Sequence, residues 1–236
     1  MSRAALALAA GFEAEPVAEL AQLNGAELIA ALLNAYPGRV AVSSSFGAES
    51  AVLLALVADV DPALPVLTLD TGRLFAQTIA YRELLVERLG LQDVRVAQPL
   101  LREIAEQDPE GDLWFTDPDA CCQLRKVRPM GEAARDFDVL IDGRKRFHGE
   151  ERRHLPTVEW AGRILKAAPL ANWTAQQIEQ AFKERDLPSH PLLACGYRSI
   201  GCEPCTSPVA DGEPVRSGRW AGSAKTECGL HKPAWF

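Results

Sequence analysis

The amino-acid sequence predicts an α/β fold, a mostly parallel sheet flanked by helices on both faces. Two observations carry that expectation. Between residues 39 and 166, short apolar strand-like runs alternate with helical stretches, the order that β-α-β units produce. The chain is 236 residues long, with 47% apolar and 24% charged residues, an ordinary composition for a globular protein. A globule of this size buries roughly 70% of its unfolded surface and needs neither disulfide nor metal merely to fold.

Taken in order, residues 14–35 place Val17, Leu20, Leu23, Leu28, Ile29, Leu32 and Leu33 at helical spacing, interrupted at Asn24-Gly25. The run ends at Tyr36-Pro37-Gly38. Arg39 to Ser45 reads as the first strand, followed by Phe46-Gly47-Ala48-Glu49 and an apolar helix through Ala58. Pro65 to Leu69 is the second strand, with Asp70-Thr71-Gly72-Arg73 as the turn out of it. Leu74 to Leu89 is an amphipathic helix stopped by Gly90. Asp93 to Ala97 is a third strand, Leu100 to Gln107 a helix, Asp138 to Asp142 a fourth strand and Ile164 to Lys166 a fifth. After Trp173 the pattern changes to a helix over Thr174–Arg185, opened by a Thr174/Gln177 capping box, and then to Gly/Pro-rich loops with cysteines. Neither an internal repeat nor a low-complexity tract interrupts the chain.

A formal net charge of −7 argues against a dedicated nucleic-acid binder. Basic residues nevertheless cluster at Arg125-Lys126 with Arg128, at Arg144-Lys145-Arg146, at Arg152-Arg153 and in the tail. Such clusters are either solvated faces or, if they converge, a site for a small multiply charged anion. No apolar run approaches the ~20 residues of a membrane span. Met1 to Ala10 imitates a signal peptide, but its apolar core is short and Glu13, Glu15 and Glu19 follow at once. An Ala-rich helix start and a cytoplasmic location are expected, and the sequon at Asn172-Trp173-Thr174 is then accidental.

Three stretches carry chemistry. Val42 to Ser50 runs from a strand through a small polar turn into a helix, and such a turn offers backbone N–H groups and hydroxyls to an anion. Asp70–Arg73 falls on the same rim of the sheet, where open α/β folds bind ligands. The chain lacks both G-x-x-x-x-G-K-[ST] and G-x-G-x-x-G; the bland alternative for the Ser-rich turn is a helix cap. The second stretch is the cysteine set, Cys121-Cys122 and Cys202-Glu-Pro-Cys205. Four thiolates suit zinc or an iron–sulfur cluster. Adjacent cysteines converge poorly on one small ion, whereas a cluster offers each sulfur its own iron corner. A redox dithiol and buried unliganded cysteines are the other readings. Cys195 reads as a structural cysteine, and His148, His154 and His190 as surface or structural positions.

The third stretch is the tail, Arg216 to His231, with Cys228 between Glu227 and Gly229 and behind Arg216, Arg219 and Lys225. Cationic neighbours lower a thiol's pKa and favour the attacking thiolate. A frayed terminus with an inert cysteine is the alternative.

These residues together resemble the sulfonucleotide reductases, assimilatory enzymes that reduce adenylyl sulfate (APS) or its 3′-phosphorylated form (PAPS) to sulfite. Cys121-Cys-Gln-Leu-Arg-Lys-Val-Arg-Pro129 is similar to the family's C-C-x-x-R-K-x-x-P. Ile200-Gly-Cys-Glu-Pro-Cys-Thr206 is similar to its second cysteine motif and Lys225-Thr-Glu-Cys-Gly-Leu-His231 to its catalytic tail. Ser43-Ser-Ser-Phe-Gly47 and Leu69-Asp-Thr-Gly-Arg73 resemble its modified PP-loop and nucleotide-binding turn. The resemblance implies a PP-loop (adenine nucleotide alpha hydrolase-like) fold with a loop-rich C-terminal extension. It divides the chain into an N-terminal helical segment (1–38), a PP-loop α/β domain with an iron–sulfur site (39–210) and a mobile catalytic tail (211–236).

By the same resemblance Cys121, Cys122, Cys202 and Cys205 hold a [4Fe–4S] cluster, and Cys228 is the nucleophile. Cys228 attacks the sulfate sulfur, AMP leaves, and an S-sulfonate remains. Thioredoxin, or a glutaredoxin-like dithiol donor, then releases sulfite. Substrate contacts are expected from Ser43, Ser44, Ser45, Phe46, Gly47, Leu69, Asp70, Thr71, Gly72, Arg73, Lys126, Gly143, Arg144 or Arg146, Arg216, Arg219 and His231. Arg73 resembles the APS-reducing branch, while some cluster-bearing members accept both nucleotides. Gly143-Arg-Lys-Arg-Phe-His-Gly149 departs from the G-[LQ]-R-R-[DE]-Q-S of many relatives, which leaves the choice between Arg144 and Arg146 open. Neither a nucleic-acid nor a membrane partner is expected, and a homo-oligomer is allowed. The competing readings are a PP-loop tRNA thiolase and a non-enzymatic iron–sulfur or zinc switch protein.

Overall fold

The computed structural model describes residues 14–223 and 225–230. Four short apolar runs form the parallel heart of the sheet: β1 (Val40–Ser43), β2 (Val66–Leu69), β3 (Val94–Ala97) and β4 (Val139–Asp142). β5 (Val158–Ala161) and β6 (Ile164–Ala167) complete six strands in the order β3-β2-β1-β4-β6-β5. All neighbours are parallel except β5 and β6. Successive strand residues face opposite sides, so β1, β2, β4 and β6 each feed two cores, while β3 is a more exposed edge strand. Val40, Val42, Val66, Val139, Ile141 and Leu165 face one core, and Ala41, Leu67, Leu140 and Ile164 the other. Covered on both faces, these strands need apolar residues at nearly every position.

The first face is covered by α1 (Ala14–Leu20), α2 (Gly25–Ala35), α3 (Ser50–Val60) and α4 (Ala76–Leu89). α3 buries every residue from Ala51 to Val57. The second face receives Met130, Ala133 and Ala134, at the end of a helical run of which only the first helix was expected from the sequence. That run consists of α5 (Leu101–Gln107), α6 (Leu113–Thr116), α7 (Pro118–Cys122), a π-helical turn over Gln123–Val127 and α8 (Arg128–Ala133). α9 (Ala175–Glu184) opens with the expected reciprocal Thr174/Gln177 cap.

Three expectations change in detail. The 14–35 helix is two helices, because Gly25 takes φ +52° beneath Trp173 and starts α2 afresh. α4 begins at Ala76, since Leu74 instead bridges to Cys202 and ties the turn after β2 to a cysteine loop. β5 was not anticipated: it is an edge strand of four residues whose middle pair, Glu159 and Trp160, is only half-buried. The chain goes outward from β1 to β2 and β3, then returns to β4 on the other side of β1. Ligand crevices form at such a reversal, beyond the carboxyl ends of the strands.

Candidate active site

At that reversal lies a cleft of about 230 Å³. Its floor comes from the ends of β1, β2 and β4: Ser43, Ser44, Ser45 and Gly47, then Leu69 and Thr71, then Asp142, Gly143 and Arg144. The turn after β1 is locked by local bonds. The Ser44 hydroxyl accepts from the Phe46 N–H at 3.2 Å, and the Ser50 hydroxyl from the Gly47 N–H at 2.9 Å. Phe46 adopts φ +47°, a costly conformation for a bulky residue. Its side chain anchors the turn in the core and is 1% exposed.

The roof is the C-terminal segment. Arg216, Arg219, Trp220 and Cys228 all line the cleft, and Lys126 reaches it from the π-helical turn. The distant basic clusters therefore do converge. Trp220 sits at φ +51° with Arg219, Lys225 and Lys126 at 4.6, 5.6 and 6.0 Å from its ring centre. Among the described residues, the buried Arg219 Nε and Trp220 Nε1 have no hydrogen-bond partner, and both side chains line the cleft. Orphaned N–H groups there can donate to an anion's oxygens.

The tail lies folded over this roof. The Glu227 carboxylate accepts from Arg152 at 2.5 and 2.8 Å and pairs with Arg216 at 3.2 Å. Arg216 also donates to the Thr226 carbonyl at 2.7 Å, and Lys225 pairs with Asp119. Buried Lys166 donates to the Leu230 carbonyl at 3.1 Å. Burial lowers the Lys166 amine to about 8, against the opposing pull of Asp142.

Behind Lys126 is a second, smaller pocket, walled by Cys121, Cys122, Cys202 and Cys205 together with Arg73, Arg125 and Lys126. Residues some 80 apart in sequence meet there because Leu74 bridges to Cys202 and the Trp220 N–H bonds the Cys205 carbonyl at 3.0 Å. Burial pushes the Cys121 thiol up to about 11, with Cys122 and Cys202 adding to the effect. Burial likewise raises Cys122, against the pull of Lys126. Burial penalises the Lys126 ammonium, but Cys202, Cys228 and Cys122 outweigh that and hold it charged, above its ordinary value. The Thr71 hydroxyl lies 3.2 Å from the Cys202 sulfur. Among the described residues, no three His, Cys, Asp or Glu side chains group tightly enough to hold one metal ion.

Residues 39–208 match the family described as the phosphoadenosine phosphosulfate reductase domain. The chain belongs to that family. An adenosine 5′-phosphosulfate reductase of Chelativorans sp. is 49% identical over 196 residues, covering 83% of this chain and 80% of that one. A phosphoadenosine 5′-phosphosulfate reductase of Gloeobacter violaceus is 38% identical over 209 residues, covering 86% and 87%. The crystal structure of a phosphoadenylyl-sulfate reductase from Candida auris in phosphate complex superposes with a TM-score of 0.70 at 23% identity, over 84% of this chain and 98% of that one. At that identity it speaks for the shared PP-loop α/β fold alone.

Within this family member, several expected contacts lie off the cleft. Asp70 and Gly72 close their own turn, the Asp70 carboxylate accepting from the Gly72 N–H at 2.9 Å. Arg73 donates to the Gly111 carbonyl at 2.5 Å and stands on the cysteine side. The Arg146 guanidinium bonds the Leu155 carbonyl at 2.8 Å, while Arg144 lines the cleft with Asp142 gripping its Nε at 2.8 and 2.9 Å. His231 lies outside the described residues.

Cys195 is not packed away: it is exposed at the end of the 3₁₀ turn Pro191–Cys195, whose inward face belongs to Leu192. His148, read as surface or structural, lines the cleft, its Nε2 at 3.0 Å from Glu49. Glu49 also takes Lys145 at 2.8 Å. Burial works against the Glu49 charge, but these two partners hold its carboxyl down to about 2. Lys145, His148, Arg152 and Trp220 went unrecognised as site residues. The basic runs at 144–146 and 152–153 were the only sequence signal for two of them.

Proposed function

We propose that the protein reduces adenylyl sulfate to sulfite and AMP in assimilatory sulfate reduction, through a Cys228 S-sulfonate and with electrons from thioredoxin or a glutaredoxin-like dithiol protein. The observation that carries this is that Cys228 opens on the same cleft as the β1 and β4 turns, Lys126, Arg216 and Arg219. A nucleophile, an anion cradle and a strand-end nucleotide rim in one cavity suit attack on a bound sulfonucleotide. The relatives named adenosine 5′-phosphosulfate reductase support the choice of nucleotide. The naming of a relative as a phosphoadenosine 5′-phosphosulfate reductase keeps PAPS as the second reading. Arg73, turned toward Gly111, acts on that choice only indirectly.

In this mechanism the nucleotide lies along Ser43–Gly47, Leu69 and Gly143, its phosphate and sulfate toward Lys126, Arg144, Arg216 and Arg219. The Cys228 thiolate donates an electron pair to the sulfate sulfur, an S–S bond forms, the sulfur–oxygen bond to phosphate breaks, and AMP departs with that pair. The orphaned Arg219 and Trp220 N–H groups can stabilise charge gathering on the sulfate oxygens. A donor thiolate then attacks the Cys228 sulfur and expels sulfite. The donor's second thiol resolves the mixed disulfide, returning the Cys228 thiolate and leaving an oxidised donor. Two electrons pass from dithiol to sulfur. The donor must reach Cys228, so the 211–236 tail acts as a movable arm on the 39–210 domain, onto whose sheet α1 and α2 of the N-terminal 1–38 segment pack.

The cysteine pocket fits a [4Fe–4S] cluster held by Cys121, Cys122, Cys202 and Cys205. Its wall carries four thiols, three cationic side chains and no carboxylate, a donor set suited to an anionic thiolate-bound group. Bound there, the cluster would supply a compact anionic centre beside Lys126. Among the described residues no helix is long and apolar enough to cross a membrane; a cytoplasmic location is part of the same proposal.

Sulfite release from anaerobically purified protein with thioredoxin tests the reading, APS and PAPS being run in parallel. Thioredoxin-dependent sulfite with APS favoured by at least about tenfold is expected. Equal rates would remove the substrate preference. No sulfite from either nucleotide would overturn the reading.

A further inference from the structure

Cys228 is tethered on both sides. On the N-terminal side, the neighbouring Glu227 is gripped by Arg152 and Arg216. On the C-terminal side, the tether is Lys166, whose Nζ donates to the carbonyl of Leu230 at 3.1 Å. The Leu230 side chain packs against the apolar cluster of Leu67, Met130, Phe137 and Ile164. Lys166 is an unusual residue for its place. It lies in β6 between Leu165 and Ala167, paired across the sheet with Leu140 and Glu159, and is 1% exposed. Burying an ammonium in a sheet is costly, and an apolar side chain would fill the position at less expense to stability. Its amine ends at the tail backbone two residues beyond the nucleophile.

We propose that Lys166 is a positioning residue for Cys228: by holding the Leu230 carbonyl beneath the cleft, it seats the tail so that the thiol faces the bound substrate. Arg152 and Arg216 fix the residue before Cys228, and Lys166 with the Leu230 side chain fixes the segment after it. With both tethers made, the intervening Cys228-Gly229 pair has little room to swing. Without Lys166, the segment after Cys228 loses its hydrogen bond to the sheet, and Cys228 samples orientations away from the cleft. Misplacement of a reacting atom by about 1 Å can cost on the order of a hundredfold in rate. The inference rests on Cys228 being the nucleophile of the proposed reaction.

The test uses the cluster-loaded protein carrying Cys195→Ser, which removes the exposed thiol. Lys166→Met and Lys166→Arg are compared with the parent. Three quantities are followed: single-turnover Cys228 S-sulfonate formation from APS without dithiol, by intact mass; iodoacetamide alkylation of Cys228, by peptide mass; and AMP affinity. Lys166→Met should slow S-sulfonation by about tenfold or more and speed alkylation by roughly threefold or more, with AMP affinity held within about twofold. Lys166→Arg, which keeps a donor, should recover part of both rates. Unchanged S-sulfonation and alkylation in Lys166→Met would overturn the proposal. So would a parallel loss of S-sulfonation, AMP affinity and thermal stability that Lys166→Arg does not relieve. If Lys166→Met proves insoluble, Lys166→Gln carries the same expectations. Alkylation uses no nucleotide, so a parent that forms no S-sulfonate would overturn the proposed function while the alkylation rates still judged the tether.

Discussion

Lys126 faces sulfur on two sides, and the two sides differ. Toward the cysteine pocket it meets Cys122 and Cys202, both buried, in a wall with no carboxylate. Toward the cleft it meets Cys228, half-buried on a tail segment carried by hydrogen bonds, ion pairs and the packing of Leu230. Burial makes three thiols of that pocket poor acids, Cys122, Cys205 and above all Cys121, which is pushed up to about 11. Such thiols ionise only when something strongly electrophilic binds them, as metals do. Cys228 instead lines the cleft together with Arg216, Arg219, Trp220 and the strand-end rim, where orphaned N–H donors are at hand. In the proposed mechanism one residue type thus serves as ligand in a buried pocket and as nucleophile on a movable arm. What lets one residue type take either part lies in the tertiary contacts that surround each sulfur.

The largest expected effect breaks the comparison on its nucleophile side. Cys228→Ser should reduce sulfite formation at least about a thousandfold, because serine ionises far too rarely to replace the thiolate. Brown colour and AMP affinity should stay as in the parent, since the cysteine pocket is built without Cys228. Turnover above a few hundredths of the parent rate would remove Cys228 from the mechanism.

Cys202→Ser tests the ligand side, with a smaller expected effect on chemistry and a larger one on cofactor. Most of the iron should be lost and thermal stability should fall, because a bound metal group contributes its binding free energy to the fold. Cys195→Ser serves as the contrast: that thiol is exposed and apart from both pockets, so iron content should stay unchanged. Iron and visible absorbance per chain measure both. Bleaching in Cys195→Ser with retention in Cys202→Ser would overturn the ligand assignment.

The same contrast marks what the sequence could disclose. β1, β2, β4 and β6 were legible because strands buried on both faces are short, nearly unbroken apolar runs, β3 because it stands between two helical stretches, and the turns that follow them are local. The cysteine pairs and the tail were legible through their motif spacing. β5 was not, since an edge strand of four residues carries no such run. The helices between Leu113 and Ala133 are four to six residues long and joined by a π-helical turn, too short for periodicity to register. Arg152, His148 and Lys166 reach the site only through tertiary folding: one from a charged loop, one beside Glu49, one from inside an apolar strand. Arg73 shows the converse, a residue placed near the ligand rim by its position after β2 but drawn by Asp108 and Gly111 to the cysteine side.

The smallest expected effect sharpens the comparison by asking which sulfur region acid loosens first. His190 anchors the segment that delivers Cys202 and Cys205. It is 1% exposed, lies edge-on to Tyr81 at 4.8 Å, and sits 3.1 Å from the Thr78 hydroxyl. Its Nδ1 accepts the Leu192 N–H at 3.2 Å, so the neutral ring carries its proton on Nε2. A second proton would have to enter between Nδ1 and that N–H. Burial lowers the pKa from 6.5 to about 4. The unfolded chain therefore binds a proton below 6.5 that the folded protein refuses, and stability falls as pH drops from 6.5 toward 4. Between pH 7 and 5 the contribution should be about 1–2 kcal/mol. His190→Gln should be less stable than the parent at pH 7, and the gap should narrow toward pH 5 in urea unfolding. On acidification of the parent, iron loss should precede any rise in Cys228 alkylation corrected for the thiol's own ionisation. A gap that stays constant with pH would show that His190 titrates alike in folded and unfolded chains. Tail exposure ahead of iron loss would place the acid-sensitive joint on the nucleophile side instead.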